Sequence, residues 1–424
     1  MSGLSMKKIV GVLVFFLLLS SCCKEESEDY KDSQGVLTKV PYIWKRSLHK
    51  TEGYSSNSYH KVLIEYNGYV GIPTTDASQE NSRYLSMIDP DDGTTISEWN
   101  DVFIPQEGVN ISYAHQHENL LFYQRGYRGY CINLETGATQ WKIESEDPSF
   151  VVVDGIAEEF FVMSESENLY PQYAEKVGYR GNIYTGEKEE FLVPDFSLEF
   201  SYGNRIGDVV GIKPHMIDGV RHLVVAWQEF KHPINWVAQT YLGLFNYETM
   251  EWVYQKKEMI APKMNGSVLS PLRIYDNMIF ANIGHDLVCH DILSGEQLWT
   301  RNFPQDFMFS GFILEEGRLY GLNEDKILYC IDPYTGSSIW EEPGAGTSSP
   351  LTYMNGVLYF TGGSDGKLHA VDTETGETVW KLKGEHYDHG YFFNPVYVIP
   401  AKDGKPARII AVNALNAYCI EAYR

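Results

Sequence analysis

The stretch LHAVDTETGETVW at residues 368–380 decides the fold: an alternating apolar strand, an Asp, a Thr-Gly turn and a closing Trp. The phrase returns as LYCIDPYTGSSIW at 328–340, LVCHDILSGEQLW at 287–299 and YCINLETGATQW at 130–141. Each copy is one hairpin, too small to bury its own apolar face, and a period of about 40 residues marks a propeller or solenoid. The turn marker runs the length of the chain as Asp89, Asn133, Asn182, Asn246, Asp291, Asp332, Asp372 and Glu421, spaced by 44, 49, 64, 45, 41, 40 and 49 residues. A short polar side chain there caps backbone N–H groups, and a Gly four residues on (Gly93, Gly137, Gly186, Gly295, Gly336, Gly376) supplies the positive φ the hairpin needs. In the fourth repeat Met250 replaces that Gly and Trp252 comes early, so a reshaped turn is expected there. Length variation is expected in loops, with the strands keeping their length.

In a four-stranded blade the phrase supplies strand three, the turn and the outer strand. Strand two precedes it as β-branched and aromatic runs such as GVLYFT at 356–361 and RLYGL at 318–322. No segment after the leader has a helical period. The last marker, Glu421, has only three residues after it, so the final blade lacks an outer strand. The run VPYIWKRSL at 40–48 has a Trp and no partner strands of its own. Pairing the two ends closes an eight-bladed, all-β propeller without exposed edges at the seam, spanning 40–424. Seven blades remain the alternative if the irregular third repeat is not a blade.

The Asp-x-x-Thr-Gly-x-x-x-Trp phrase resembles the repeat of quinoprotein-like (PQQ-like) eight-bladed propellers, over nearly all of the chain after residue 40. The family includes dehydrogenases that hold a quinone cofactor over Ca²⁺, often stacked on a vicinal disulfide. It also includes the non-enzymatic propeller lipoprotein of the outer-membrane β-barrel assembly machinery. The only adjacent cysteines here, Cys22 and Cys23, fall in the leader region, and no residues match the family's cofactor ligands. The resemblance therefore implies a non-catalytic binding or scaffolding propeller with no cofactor, the dehydrogenase being the alternative, since fold does not carry chemistry with it.

Residues 1–21 are read as a lipoprotein signal peptide: Lys7 and Lys8, an apolar run from Ile9 to Leu19, then a lipobox-like Leu19-Ser20-Ser21-Cys22 with Cys22 as the lipidated residue. Residues 22–39 are polar and acidic and are read as a flexible tether. These features imply an outer-membrane lipoprotein of a Gram-negative bacterium, periplasmic or surface-exposed, held to the membrane by its lipid. The net charge of −23 repels phosphate backbones and excludes nucleic acid as a partner. Cys131, Cys289, Cys330 and Cys419 share one slot in strand three of four blades, so they are read as packing residues and not disulfides.

Gly362-Gly363-Ser364-Asp365-Gly366 matches the G-x-S-x-G string of hydrolases but joins two strands, where the motif needs a strand-to-helix elbow. His115-x-His117, His386-x-x-His389 and the acidic turn Asp89, Asp91, Asp92 lack the further ligands a metal site needs, and no metal is expected. Binding residues are sought on the face carrying the turns between strands two and three, where 74–83, 164–176 and 229–238 read as long loops. That face is expected to present Trp236 and His232 from blade four, Tyr170 and Tyr173 from blade three, Tyr127 from blade two, and His386 and Tyr387 after blade seven. Aromatics with polar neighbours on loops of a rigid scaffold suit an envelope protein partner or a glycan.

Overall fold

In the computed structural model the described residues are 36–37, 42–51, 64–76, 78–79, 82–105, 114–125, 128–144, 150–164, 178–192, 207–232, 237–264, 271–305, 311–346, 349–384, 392 and 395–423. They form eight sheets, antiparallel but for one added parallel strand, and no helix. Blade one is Ile64–Tyr66, Tyr69–Asp76, Ser82–Ile88 and Thr95–Trp99, and the third repeat makes a full sheet of its own, Phe150–Ile156, Glu159–Ser164, Gly178–Asn182 and Lys188–Leu192. The chain is thus an eight-bladed propeller. In the eighth sheet Tyr42–Ser47 lies outermost and pairs antiparallel with Asn416–Glu421, setting Trp44 opposite Cys419.

Eight apolar clusters hold the ring, each shared by two neighbouring sheets. The one between blades eight and one joins Trp44, Leu48, Ile410, Val412 and Cys419 to Val70, Ile72 and Ile88. The repeated phrase builds these seams. Marker side chains accept hydrogen bonds from the next two turn amides, as Asp332 does from Tyr334 (2.8 Å) and Thr335 (3.0 Å), and the turn glycines sit at φ of 69 to 79°. The outer-strand aromatic then reaches the next blade. Trp44 donates to the Pro90 carbonyl (2.8 Å), Trp141 to Ile183 (2.7 Å), Trp299 to Pro333 (2.9 Å) and Trp340 to Thr373 (3.1 Å), in each case the residue after that blade's marker. The indole lies so close over the neighbouring turn that a Cβ on Gly93, Gly186, Gly336 or Gly376 would sit 2.8 to 2.9 Å from it.

Two expectations need correction. Blade four's turn keeps its form: Asn246 caps Glu248 and Thr249, Met250 itself adopts φ 58°, and Tyr254 takes the Trp role by donating its hydroxyl to Ile292 (2.7 Å). Trp252 instead packs inward on Trp227 and Phe245. The extra length of that repeat lies largely in strands, which run Gly207–Ile217, Val220–His232 and Val237–Asn246, because cross-strand pairing continues past the usual turn. In blade one, likewise, residues 74–76 pair with 82–84, so half of 74–83 is strand. Within the segment read as a tether, Val36–Leu37 pairs in parallel with Lys381 and Leu382, adding a fifth strand to blade seven. An open strand edge and an apolar dipeptide with two backbone donors explain that pairing. The leader and the rest of the tether lie outside the described residues.

The four shared-slot cysteines are free and buried. Each faces an outer-strand Trp across the ladder: Cys131 with Trp141, Cys289 with Trp299, Cys330 with Trp340 and Cys419 with Trp44. A small side chain leaves room for the indole, and Ala370 does the same opposite Trp380. Burial pushes the thiols of Cys131 and Cys289 up to about 12, and those of Cys330 and Cys419 up to about 11. Native protein at pH 8 should therefore leave all four unlabelled by a thiol reagent, with labelling only after denaturation, as mapped by mass spectrometry. Trp44→Ala should cost about 3–5 kcal/mol in denaturant unfolding. Trp44→Phe, which mainly loses the bond to Pro90, should cost about 1–2 kcal/mol.

Candidate partner-binding face

Blade four dominates the face that carries the turns between strands two and three. Its long strands extend beyond their neighbours, and the short strand Lys263–Met264 pairs with Val237 and Ala238 where the outer strand has ended. Lys263 is ion-paired to Asp286 of blade five, which Asn302 also binds at 2.7 Å, so the extension is braced sideways. Within it Glu229 is 1% exposed and meets Lys256 at 2.9 Å. Lys256 sits at a β-bulge with φ 62°, its ammonium 5.2 Å from the centre of the Tyr241 ring. Burial and then Glu229 push the Tyr241 hydroxyl up to about 12. A buried ion pair is costly to break from one side, so this triad stiffens the base of the extension.

His232 closes the second strand of the extension, with its backbone opposite Val237. Nothing is described of its side chain, and Trp236, Tyr170, Tyr173, Tyr127, His386, Tyr387 and Cys22 lie outside the described residues. The described strands of blade four run up to residue 232 and resume at residue 237, on either side of the segment that carries Trp236. Glu229, Lys256, Asp286 and Lys263 were not singled out from sequence. Their partnerships cross a third strand or a blade seam, and no local spacing announces such contacts.

The other turns on this face spend their polar groups on themselves. Asp76 accepts from the Ser78 hydroxyl (2.7 Å), the Ser78 amide (3.0 Å) and Thr51 (3.2 Å). Tyr329 donates to Asp325 at 2.6 Å. In the Gly362–Gly366 segment, His369 faces Asp365 at 3.1 Å and stacks on Phe360, while the Ser364 amide bonds to Gly346. Burial holds the imidazole of His369 below its ordinary range, and the segment links two strands, so no nucleophile elbow forms.

Of the sites weighed for metal, His386-x-x-His389 lies outside the described residues, and the other two have partners within the fold. His115 Nε2 lies 2.8 Å from the Ala157 carbonyl, and the His117 ring meets Tyr184. Asp89 accepts from the Asp91 amide and Asp92 from Thr94, while Asp91 is held by Arg408 at 2.7 Å and by Lys405. Among the described residues no group of three His, Cys, Asp or Glu side chains comes together.

A family profile described as outer membrane protein assembly factor BamB matches residues 255–342 and 284–391. The chain resembles the PQQ-like propellers, BamB among them. The outer membrane protein assembly factor BamB of Shewanella oneidensis is 24% identical over 133 residues, which is 31% of this chain and 32% of that protein. The match thus spans about a third of that curated relative. Among solved structures, BamB from Moraxella catarrhalis aligns with a TM-score of 0.55 and 12% identity, covering 91% of this chain and all of the other. A europium-containing methanol dehydrogenase aligns with a TM-score of 0.62 and 10% identity, covering 88% and 85%. At such identities the structural likeness speaks for the fold alone.

Bonds from Lys405 and Arg408 hold the Asp91 carboxyl below its ordinary range. A depressed folded pKa contributes stability above the unfolded value near 3.9, lost as pH falls through the folded one. Asp91→Asn should melt lower than the parent at pH 7, with the difference vanishing below about pH 3 in thermal scans.

Proposed function

We propose that the protein is a non-catalytic cell-envelope lipoprotein, anchored through Cys22, whose propeller binds an envelope protein partner on the face built around blade four. The observation that carries this reading is the likeness to BamB across blades five to seven, residues 255–391. The braced blade-four extension supports it: a rigid platform lets loop residues such as Trp236 engage a partner at low ordering cost. Anchoring at Cys22 leaves the propeller tethered through residues 23–35, and its strong negative charge favours a partner with a basic surface.

The quinone-dependent alternative draws on the dehydrogenase fold, and the residues here do not fit the cofactor. The four described cysteines lie singly under tryptophans, none beside another, so they offer no vicinal disulfide to stack on. The described acids form no converging set to hold a calcium ion.

Affinity capture of the native lipoprotein from detergent-solubilised membranes tests the reading. The parent should retain one stoichiometric envelope partner. Trp236→Ala combined with Tyr173→Ala should lose it while melting within about 2 °C of the parent. A double variant that keeps the partner, or that melts far lower, overturns this face as the interface. Acyl labelling that survives Cys22→Ala overturns the anchor, and dye reduction by protein supplied with quinone and Ca²⁺ overturns the non-catalytic assignment.

A further inference from the structure

The opposite face, which carries the Thr-Gly turns, repeats one arrangement at two seams. At blades five and six, Tyr334 donates its hydroxyl to Asp276 at 2.9 Å, and its ring meets Tyr275 edge-on at 6.2 Å and 69°. At blades two and three, Tyr184 donates to Glu118 at 3.4 Å, and its ring meets His117 edge-on at 6.1 Å and 82°. In both, the Tyr stands two residues after its blade's marker, and the aromatic–acid pair forms the first turn of the preceding blade. Both acids occupy the left-handed region, Glu118 at φ 50° and Asp276 at φ 54°, which sets the carboxylate beside the neighbouring turn.

We propose that these two tyrosines are binding platforms for an uncharged hexopyranose chain. An aromatic face stacks on the C–H face of a pyranose, and an adjacent carboxylate accepts from its hydroxyls. Tyr334 is 55% exposed and Tyr184 43%, so ring surface is open to a ligand, unlike the buried tyrosines of the blade seams. The hydroxyl tie and the edge-on neighbour fix each ring before any ligand arrives, which lowers the entropy lost on binding. Only one oxygen of each carboxylate is used, Oδ2 of Asp276 and Oε2 of Glu118; no donor among the described residues takes the other. The corresponding turn of blade five exposes Leu293, which has no ring to offer. Charge selects the sugar class. Exposed Asp92, Glu135, Glu187, Glu248 and Glu374 on this face repel uronates, sulfates and phosphorylated glycans, leaving neutral chains.

The proposal concerns the face opposite the partner-binding one, so either reading survives the failure of the other. Cellohexaose, maltohexaose and trigalacturonic acid are titrated into the full-length protein by calorimetry and saturation-transfer NMR. At least one neutral hexasaccharide should bind saturably, and trigalacturonic acid should not. Tyr184→Ala with Tyr334→Ala should weaken binding by at least about ten-fold. Tyr184→Phe with Tyr334→Phe keeps the rings and should stay within about three-fold. If the alanine pair unfolds, Tyr184→Leu with Tyr334→Leu removes the rings while keeping apolar bulk and should show the same loss. Absence of saturable binding by the parent, or parental affinity in a folded ring-deleted pair, overturns the proposal.

Discussion

A buried indole N–H favours an acceptor, and for Trp44, Trp141, Trp299 and Trp340 that acceptor lies on the next blade. Left unpaired, such a donor costs about 1–3 kcal/mol, enough to fix how one sheet is placed against its neighbour. At these four seams the bond to the carbonyl after the turn marker sets the height of one blade against the next, and the flat ring over the turn glycine sets the distance. Cysteine or alanine beneath the ring is then a packing requirement, which explains why one residue slot recurs in the five blades whose outer strand sets a Trp opposite it. Tyr254 meets the same requirement with a phenol, so the constraint is a donor on an aromatic lever and not tryptophan as such.

Three seams solve the problem otherwise, and one of them joins the two most altered repeats, blades three and four. Between blades three and four, Arg180 donates to the Tyr247 hydroxyl (3.2 Å), which donates to Glu159 (2.7 Å). Between blades one and two, Trp99 turns to the Thr139 hydroxyl (2.8 Å) and packs on Tyr123 and Tyr130. Between seven and eight, Trp380 relies on apolar packing in the cluster it shares with Ile409, Ala411, Tyr418 and Ile420 of blade eight. Where blade three lacks a docking tryptophan, blade four compensates with long strands and a brace to blade five, which raises the platform assigned to partner binding.

The architecture was legible because the phrase states its own mechanism: marker, glycine and tryptophan are local in sequence and repeat in register. Eight blades could be counted from Asp89 to Glu421, and the placement of Cys131, Cys289, Cys330 and Cys419 followed from register alone. What sequence did not show was anything decided across strands. The 229–238 segment reads as a loop because Lys231, His232 and Pro233 are polar or turn-forming, yet pairing with residues 237–239 carries the strand onward. Val36–Leu37 is too short to announce a strand, and it forms only because blade seven offers an open edge. The Glu229–Lys256 pair and the Tyr334–Asp276 tie join residues 27 and 58 positions apart, with no periodic signal between them.

The account rests on indole donors locked across blade seams, including the one that ties residue 44 to blade one. Hydrogen exchange of the tryptophan Nε1–H groups, resolved by NMR on the folded protein, tests it directly. The account predicts that Trp44, Trp141, Trp299 and Trp340 exchange as slowly as amides in the central strands, with Trp44 no faster than the other three. Exchange of the Trp44 indole at the rate of a solvent-exposed ring, while the others stay protected, would contradict closure of the propeller by its N-terminal strand.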